Sequence, residues 1–406
     1  MRRAALLLRL SLRNVFRNRR RSLFALATIA MGALGLFVFM GFNRGLMNQY
    51  RANTIRARWG HGHLYVQGYR DRAHARPSEH WIERPSAVMA QLRGLPDVLD
   101  LFPRLTVSAI LVAGEHTVGG NGEGIDGAAE AGFFTQLNYR DGGDFRDRGD
   151  GIVLGEGLAR GLGVRLDDEI RLVVQGGEPS PHSAALRVTG IFHTGSQEFD
   201  SRAFRIPLGV AQSLLATDRV ESIAVALTGV EAWPAFAKAV QASFPGLEAV
   251  PFDELDRIYY RHAVDWLDAQ FAFIRGIILL VVFLGIFNVI SMAVLERTRE
   301  IGTLRANGDS RVAIAFGHVL EAVVLAVLGA AIGLTAGWAL SAGPLRDGIA
   351  MPPAPGITRS FRIQIELAIA DGAQVLGLAV LTAVVGCLLP VWRAVRMPIA
   401  EALRHV

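Results

Sequence analysis

Hydrophobic and polar positions divide this chain into four long apolar runs and one long region of shorter, mixed runs. The first apolar run, Ser22–Phe42, carries no charge, and the second, Ile274–Leu295, has only Arg275 at its edge. The third covers Val312–Ala342 and the fourth Gly372–Trp392. A helix needs roughly 20 apolar residues to cross a hydrocarbon core of ~30 Å, so each run predicts a transmembrane helix. The first exceeds the 7–15 residues of a signal-peptide core and no A-x-A site follows it, so it reads as an uncleaved anchor.

Between the first two spans the pattern changes. Gly60–Gln67 alternates as a strand, a helix is predicted near Ile82–Arg93, and a second strand lies around Leu105–Val112. The same order recurs as a strand at Ser222–Leu227, an amphipathic stretch at Val230–Phe244 and a returning strand after Pro245. Two β-α-β units predict helices packed on one sheet. Residues 113–207 alternate short β-branched runs with Gly- and Asp-rich turns and read as a mostly β insert. Asn43–Trp59 continues the first span without a proline, and Asp253–Phe273 leads into the second without a breaker, so both read as stalk helices. Trp266, Tyr259 and Tyr260 are candidate interface or stalk contacts.

The resulting expectation is a four-span helical membrane protein carrying a large α/β plus β domain on a helical stalk. Its segments are residues 1–21 (amphipathic, cytoplasmic), 22–42 (span), 43–59 (stalk) and 60–252 (outer domain). Within the outer domain, 60–112 and 208–252 form the α/β part. Then come 253–273 (stalk), 274–295 (span), 296–311 (cytoplasmic helix), 312–342 (span), 343–371 (outer loop), 372–392 (span) and 393–406 (cytoplasmic tail).

Composition supports the membrane class: 51% of residues are hydrophobic and 19% charged, against about a quarter charged in soluble chains. Arginine placement sets the orientation. Eight arginines precede the first span, Arg297, Arg299, Arg305 and Arg311 lie between the second and third, and Arg393, Arg396 and Arg404 follow the fourth. Cationic residues near span ends stay cytoplasmic, so both termini are expected inside and Asn43–Phe273 outside. The net charge of +5 rests almost wholly on arginine, with Lys238 the one lysine; it reflects composition bias rather than a nucleic-acid partner. Cys387 is the single cysteine, so no intrachain disulfide can form.

Little in the sequence points to catalysis. No G-x-x-x-x-G-K-[ST] occurs to cradle ATP phosphates. Gly155–Gly161 misses the spacing of a dinucleotide fingerprint. His61 and His63 stand alternately on a strand with no cysteine or carboxylate beside them, which favours a surface strand over a metal site. Gly329, Gly333 and Gly337 repeat every fourth residue, a spacing that suits either packing within the chain or a transmembrane dimer seam. His318 and Glu321 share one side of the third span and read as a structural tie near its inner end.

The stretch E-R-T-R-E-I-G-T-L-R-A-N-G-D-S-R, Glu296–Arg311, is a charged helix between two apolar spans. Leu295, Thr298, Ile301 and Leu304 recur at three-residue spacing and predict one apolar face. Arg297, Arg299, Glu300 and Arg305 surround it with charge. Asn307-Gly308 can end the helix in the left-handed region, and Asp309 or Ser310 can cap the next span. A helix lying on headgroups would favour cations with few acids, which Glu296 and Glu300 oppose.

Together with Leu10–Ser22, the C-terminal Leu388–His405 and the phrases Val153–Ile170 and Val188–Ser201, this stretch resembles the FtsX/MacB-type ABC transporter permeases. In layout the chain is most similar to the LolC/LolE lipoprotein-releasing permeases, although no extended carrier-recruiting hook is identifiable. The resemblance implies a bacterial inner-membrane permease that is not itself an enzyme and binds no cofactor. ATP and Mg²⁺ would belong to a partner ATPase dimer, and a second permease copy or paralogue would complete the complex. Mechanotransmission would relay ATPase closure to the outer domain. Glu296, Arg297, Arg299, Glu300, Ile301, Leu304 and Arg305 would then be the ATPase contacts of a coupling helix. The expected cargo is lipoprotein or lipid-linked material drawn from the membrane lipid, with a periplasmic carrier or adaptor. Efflux of peptides or small amphiphiles through an adaptor, and regulation of a cell-wall hydrolase, stay open beside it.

Overall fold

A computed structural model describes residues 19–72, 77–145, 149–174, 182–194, 196–257, 261–352, 361–398 and 401. Tyr259, Tyr260 and most of Leu10–Ser22 lie outside the described residues. The chain divides into two compact units, one of residues 1–48, 265–351 and 362–406, the other of 49–264 and 352–361.

Helix α1, Arg19–Thr54, is unbroken, and a five-residue π-turn, Ile55–Trp59, follows it and stops at Gly60. Gly60 has φ +59°, and an added Cβ would lie 2.7 Å from the Val225 carbonyl oxygen. A side chain is therefore excluded on both grounds.

The second unit is built on one ten-stranded sheet. Its first part comprises β1 (Gly62–Val66), α2 (Pro85–Leu92) and β2 (Val98–Ala113). The connecting strands are β3 (His116–Ile125), β4 (Asn138–Gly142) and β5 (Gly151–Gly155), then α3 (Glu156–Leu162), β6 (Glu169–Val174), β7 (His182–His193), β8 (Ala203–Pro207) and α4 (Leu208–Leu214). The unit closes with β9 (Ser222–Leu227), α5 (Trp233–Ser243) and β10 (Leu247–Pro251).

Strand order β10-β1-β9-β2, with β1 antiparallel to β9 and β10 and β9 antiparallel to β2, is the split β-α-β arrangement. Each predicted β-α-β unit contributes one edge-side and one inner strand. β9 is buried along its whole length: helices α2 and α5 bring Val88, Leu92, Phe236 and Val240 against Ile223, Val225 and Leu227, and Phe102 and Phe134 pack with Ala224 and Ala226 on the other face.

One strand belongs to both parts of the unit. Val98–Arg104 of β2 pairs with β9, and Leu105–Ala113 continues as the partner of β3 and β6. In this second half burial alternates: Leu105, Val107, Ala109 and Leu111 are inside and Thr106, Ser108 and Ile110 outside. That alternation marks a sheet with one covered face. The β-rich insert thus grows from the far end of a strand that starts in the α/β part, a continuity that no composition change reveals.

The two phrases Val153–Ile170 and Val188–Ser201 meet in the fold. Gly155 and Gly157 open α3 against Asp200 and Ser201, where added Cβ atoms would lie 2.3 Å from the Asp200 carbonyl and 2.8 Å from Ser201 Cα. Asp200 is buried and its carboxylate accepts the Thr194 N–H and hydroxyl.

In the first unit, α6 (His262–Glu296), α7 (Thr298–Ala306), α8 (Arg311–Ala342) and α9 (Ile369–Arg396) join the membrane-length part of α1. Among the described residues, four helices are long and apolar enough to cross a membrane. The stretch before α6 is not one helix: a short turn at Phe252–Leu255 ends at Asp256, and the continuous helix begins at His262. Trp266 is 64% exposed on α6. Arg44 of α1 makes a two-pronged bond to the buried Asp371 of α9, at 2.6 and 3.0 Å.

Candidate functional site

The charged stretch between the second and third spans folds into α7, which Arg297 separates from α6 as its N-cap. Ser310 caps α8, its Oγ accepting the Ala313 N–H at 3.2 Å. Gly308 has φ +93°, so the turn between the helices uses a residue without a Cβ. Asp309 is exposed in that turn.

The seven predicted contact residues do not share a face. Thr298, Ile301 and Gly302 are buried, and Ile301 belongs to an apolar cluster with Val294, Ile314, Val391, Ala394 and Val395. Arg305 donates to the Met397 carbonyl, and Arg297 donates to Glu321 of α8 at 2.6 Å. Ile301, Arg297 and Arg305 are therefore committed to their own chain. Glu296, Arg299, Glu300, Thr303 and Leu304 are exposed, Leu304 by 40%.

The expected apolar face through Leu304 needs correction. At 100° per residue, a spacing of three falls 60° short of a full turn at each step. By Leu304 the drift from Thr298 is about 120°, which carries Leu304 onto the exposed side among Arg299 and Glu300.

The glycine stripe is also settled by contact. An added Cβ at Gly329 would meet Ile29 at 2.8 Å, at Gly333 the Ala30 carbonyl at 2.4 Å, and at Gly337 Phe37 at 3.0 Å. The stripe lies against α1 of the same chain, which corrects the dimer-seam reading. Spacing shows that a helix can approach closely but not which helix does.

The reading of His318 and Glu321 as a tie lacked its partner. Glu321 bonds Arg297, and the bond crosses from α8 to the α6–α7 corner. His318 directs Nδ1 to the Ile314 carbonyl at 3.0 Å.

A second polar constellation went unnoticed in the sequence, inside the second unit. Arg104 is 3% exposed and forms a two-pronged bond with Glu130, at 3.0 and 2.9 Å. Its remaining nitrogen donates to the Arg58 carbonyl at 2.5 Å and lies 3.4 Å from Glu123. Arg205 donates to the Ala57 carbonyl at 3.3 Å, and Arg58 bonds Glu123 at 3.2 Å. Two buried guanidinium groups thus hold successive carbonyls at the end of the π-turn, where helical backbone leaves acceptors without internal donors. Burial pushes the Glu123 carboxyl up, but Arg58, Arg104 and Arg205 together hold it at about 2.

His61 and His63 flank this cluster and are buried, not on a surface strand as the alternation suggested. Both faces are covered: Leu64 packs with Trp233 and Phe236 on one, while Trp59 of the π-turn lies against His63 and Phe133 against His61 on the other. His61 Nδ1 accepts the Leu227 N–H at 3.0 Å, and His63 Nδ1 lies 3.2 Å from the Tyr65 hydroxyl. Burial, reinforced by Arg104, lowers the His63 pKa to about 3; burial, reinforced by Arg56, lowers that of His61 to about 4. A signal for the cluster did exist. Arg104 and Arg205 each stand two positions from a buried residue, Phe102 and Ala203, on the inward side of a strand.

The MacB-like periplasmic core domain matches residues 22–243, more than half of the chain, and the FtsX-like permease C-terminal matches 272–399. The macrolide export ATP-binding/permease protein MacB of Nitrobacter winogradskyi is 37% identical over 130 residues, 32% of this chain and 18% of that relative. The uncharacterized ABC transporter permease YvrN of Bacillus subtilis is 31% identical over 163 residues, 39% of this chain and 37% of that relative. These matches span less than two fifths of either relative. The periplasmic region of MacB from Actinobacillus actinomycetemcomitans aligns over 48% of this chain and 90% of its own, with 16% identity and a TM-score of 0.36.

Proposed function

This chain belongs to the family of the MacB-like periplasmic core domain, joined to an FtsX-like permease C-terminal, and from that premise we propose that it is the permease of an ABC transporter whose ATPase docks on α7. The carrying observation is the division of α7 into two faces. Its apolar side is covered by its own chain, leaving a mixed-charge face of Arg299, Glu300, Thr303 and Leu304, with the exposed Glu296 at the adjoining end of α6. A helix resting on headgroups would instead present its apolar side to lipid. An exposed leucine ringed by charges of both signs suits a protein partner, where a small apolar anchor sits within a polar rim.

The 406 residues contain no phosphate-cradling P-loop, so ATP and Mg²⁺ belong to that partner. In this reading the outer unit handles cargo on the far side of the inner membrane while the helices relay ATPase motion, with a second permease copy completing the assembly. Both termini then lie in the cytoplasm, as the arginine distribution requires.

Two cargo classes compete. The similarity in layout to lipoprotein-releasing permeases motivates extraction of lipoprotein or lipid-linked cargo, the macrolide-export name of a partial relative motivates efflux of small amphiphiles through an adaptor, and the four apolar helices fit both. Capture on the intact permease separates them: lipoproteins or a lipoprotein carrier support the first, a coiled-coil adaptor the second. The docking assignment has its own test. Arg299→Glu combined with Leu304→Asp is expected to abolish co-purification of an ABC ATPase encoded beside the permease, with helical content unchanged. Retained ATPase binding in the folded double variant defeats it.

A further inference from the structure

The four spans are not equally covered by their own chain. Of the apolar window, 28% is buried in α1 and α8 and 33% in α9, against 6% in α6. The glycine stripe of α8 is already used, since it receives α1. α6 packs inward through Ile286, Ile290 and Val294, and its opposite side is open. Ile277, Leu280, Val281, Leu284 and Asn288 stand there, all exposed. At 100° per residue these five fall within an arc of about 100°, one continuous stripe along the helix.

Its apolar members alone do not say what covers the stripe, because lipid tails are as apolar as leucine. Asn288 does. It precedes Leu295, the end of the apolar run, by about 10 Å of helix, too deep for so short a side chain to reach the headgroups. The hydroxyls of Thr28, Thr335 and Thr382 are satisfied within their own helices, by the carbonyls of Phe24, Ala331 and Leu378. Asn288 has no hydrogen-bond partner among the described residues. A carboxamide left so in hydrocarbon is costly, since no water is there to stand in for the missing partner.

We propose that the open side of α6 is a seam with a second copy of this chain, tied by Asn288 of each copy. A carboxamide donates through its nitrogen and accepts through its oxygen, so it is its own complement. Arginine placement gives both copies the same orientation in the membrane. A two-fold axis relating them then runs along the membrane normal and brings equal residues together at equal depth. Each Asn288 amide thus finds a donor and an acceptor on the other copy, and Ile277, Leu280 and Leu284 pack beside them. The proposal rests on the functional reading of a permease completed by a second copy, and it adds the surface on which the two meet.

Cysteine cross-linking in native membranes tests the seam with Asn288 in place. Cys387 is the single cysteine of the chain, so Cys387→Ala gives a background without thiols. Ile277→Cys, Leu280→Cys and Leu284→Cys are introduced one at a time and oxidised with copper phenanthroline. Each is expected to give a disulfide-linked dimer, because a residue beside the axis approaches its own copy closely enough for the bond. Leu381→Cys, 58% exposed on α9, is expected to give none. In liposomes, energy transfer between labelled copies of the full chain is followed as lipid dilutes them. Asn288→Leu is expected to weaken dimerisation about 5- to 30-fold, the strength of a hydrogen bond between membrane helices. A dimer that cross-links through Leu381→Cys but not through the α6 positions overturns the seam and leaves the second copy standing. So does an Asn288→Leu chain that dimerises as tightly as the wild type. A wild-type chain that stays monomeric at every dilution makes lipid or a different chain the occupant, and overturns the identical second copy as well.

Discussion

Arg104–Glu130 and Arg297–Glu321 are the same chemical pair in two surroundings. In the first, both side chains are at most 3% exposed, the bond is two-pronged, and Phe134 lies 4.4 Å from the guanidinium. Every neighbour constrains it: Glu123, Arg58 and its carbonyl, and Arg205. In the second, one close contact joins two side chains that are each 13% exposed, and both residues line a cavity together with His318. A buried pair fixes the end of a helix because no alternative partner exists in a dry interior, and breaking it leaves an uncompensated charge. The second pair keeps part of each side chain exposed, so less is lost when it is broken. The surroundings set how much the same two residues contribute.

The sharpest way to break this contrast is to remove one member of each pair. Arg104→Met leaves Glu130 buried without its partner and is expected to destabilise the second unit by about 3–5 kcal/mol. Denaturant unfolding of the full chain in detergent measures the change. A loss as small as that of a surface pair would mean the cluster is wetter than its burial indicates.

Acid sharpens the comparison next. His63 has its pKa lowered to about 3 by burial and by Arg104, against 6.5 when unfolded. Below pH 6.5 the unfolded chain takes a proton that the folded chain refuses, so stability falls as pH drops toward 3, by about 1.4 kcal/mol per pH unit. His61 acts in the same direction down to about 4. Glu123, held at about 2, contributes stability that is present above pH 4.5 and lost as pH falls through its folded value. His63→Gln is expected to flatten the slope between pH 6.5 and 4, read from melting temperatures of the full chain. An unchanged slope would remove His63 from the account.

A dry contact without charge makes a third comparison. Gly333→Leu drives a side chain into the Ala30 carbonyl and is expected to cost about 1–3 kcal/mol. Gly317→Leu, where an added Cβ meets nothing within 4 Å, is expected to leave the melting temperature unchanged. Equal effects at the two positions would mean that the α1–α8 contact is not close-packed.

The smallest effect on stability is expected at the Arg297–Glu321 corner. Glu321→Gln should cost about 1 kcal/mol or less, as partly exposed pairs do, read from denaturant unfolding in detergent. A stability loss as large as that of Arg104→Met would make the corner an anchor like the first.

The spans and the two β-α-β units were legible because they rest on periodicity, which local sequence carries. The solvent side of α7 was only half legible. Its charges announced a surface, but spacing by three placed Leu304 on the wrong side, since the drift from a 3.6-residue turn accumulates. His61 and His63 looked like surface residues because an alternating strand does not reveal whether its second face is covered. What packs on the sheet decides that, and Trp59 and Phe133 lie against His63 and His61.

By itself, then, the sequence determined four apolar helices, their arginine-marked ends, a charged helix between two of them and a mixed outer unit. Hydrophobic period and charge placement act over a few turns of chain and need no distant partner. Only the tertiary structure decided that Gly333 receives α1, that Arg104 holds Glu130 and the end of the π-turn, and that Arg297 meets Glu321 across 24 residues. A charge on an inward position is a cost that one-dimensional pattern can register but cannot resolve. Its counter-charge comes from wherever the chain returns, and burial then sets how costly the pair is to break.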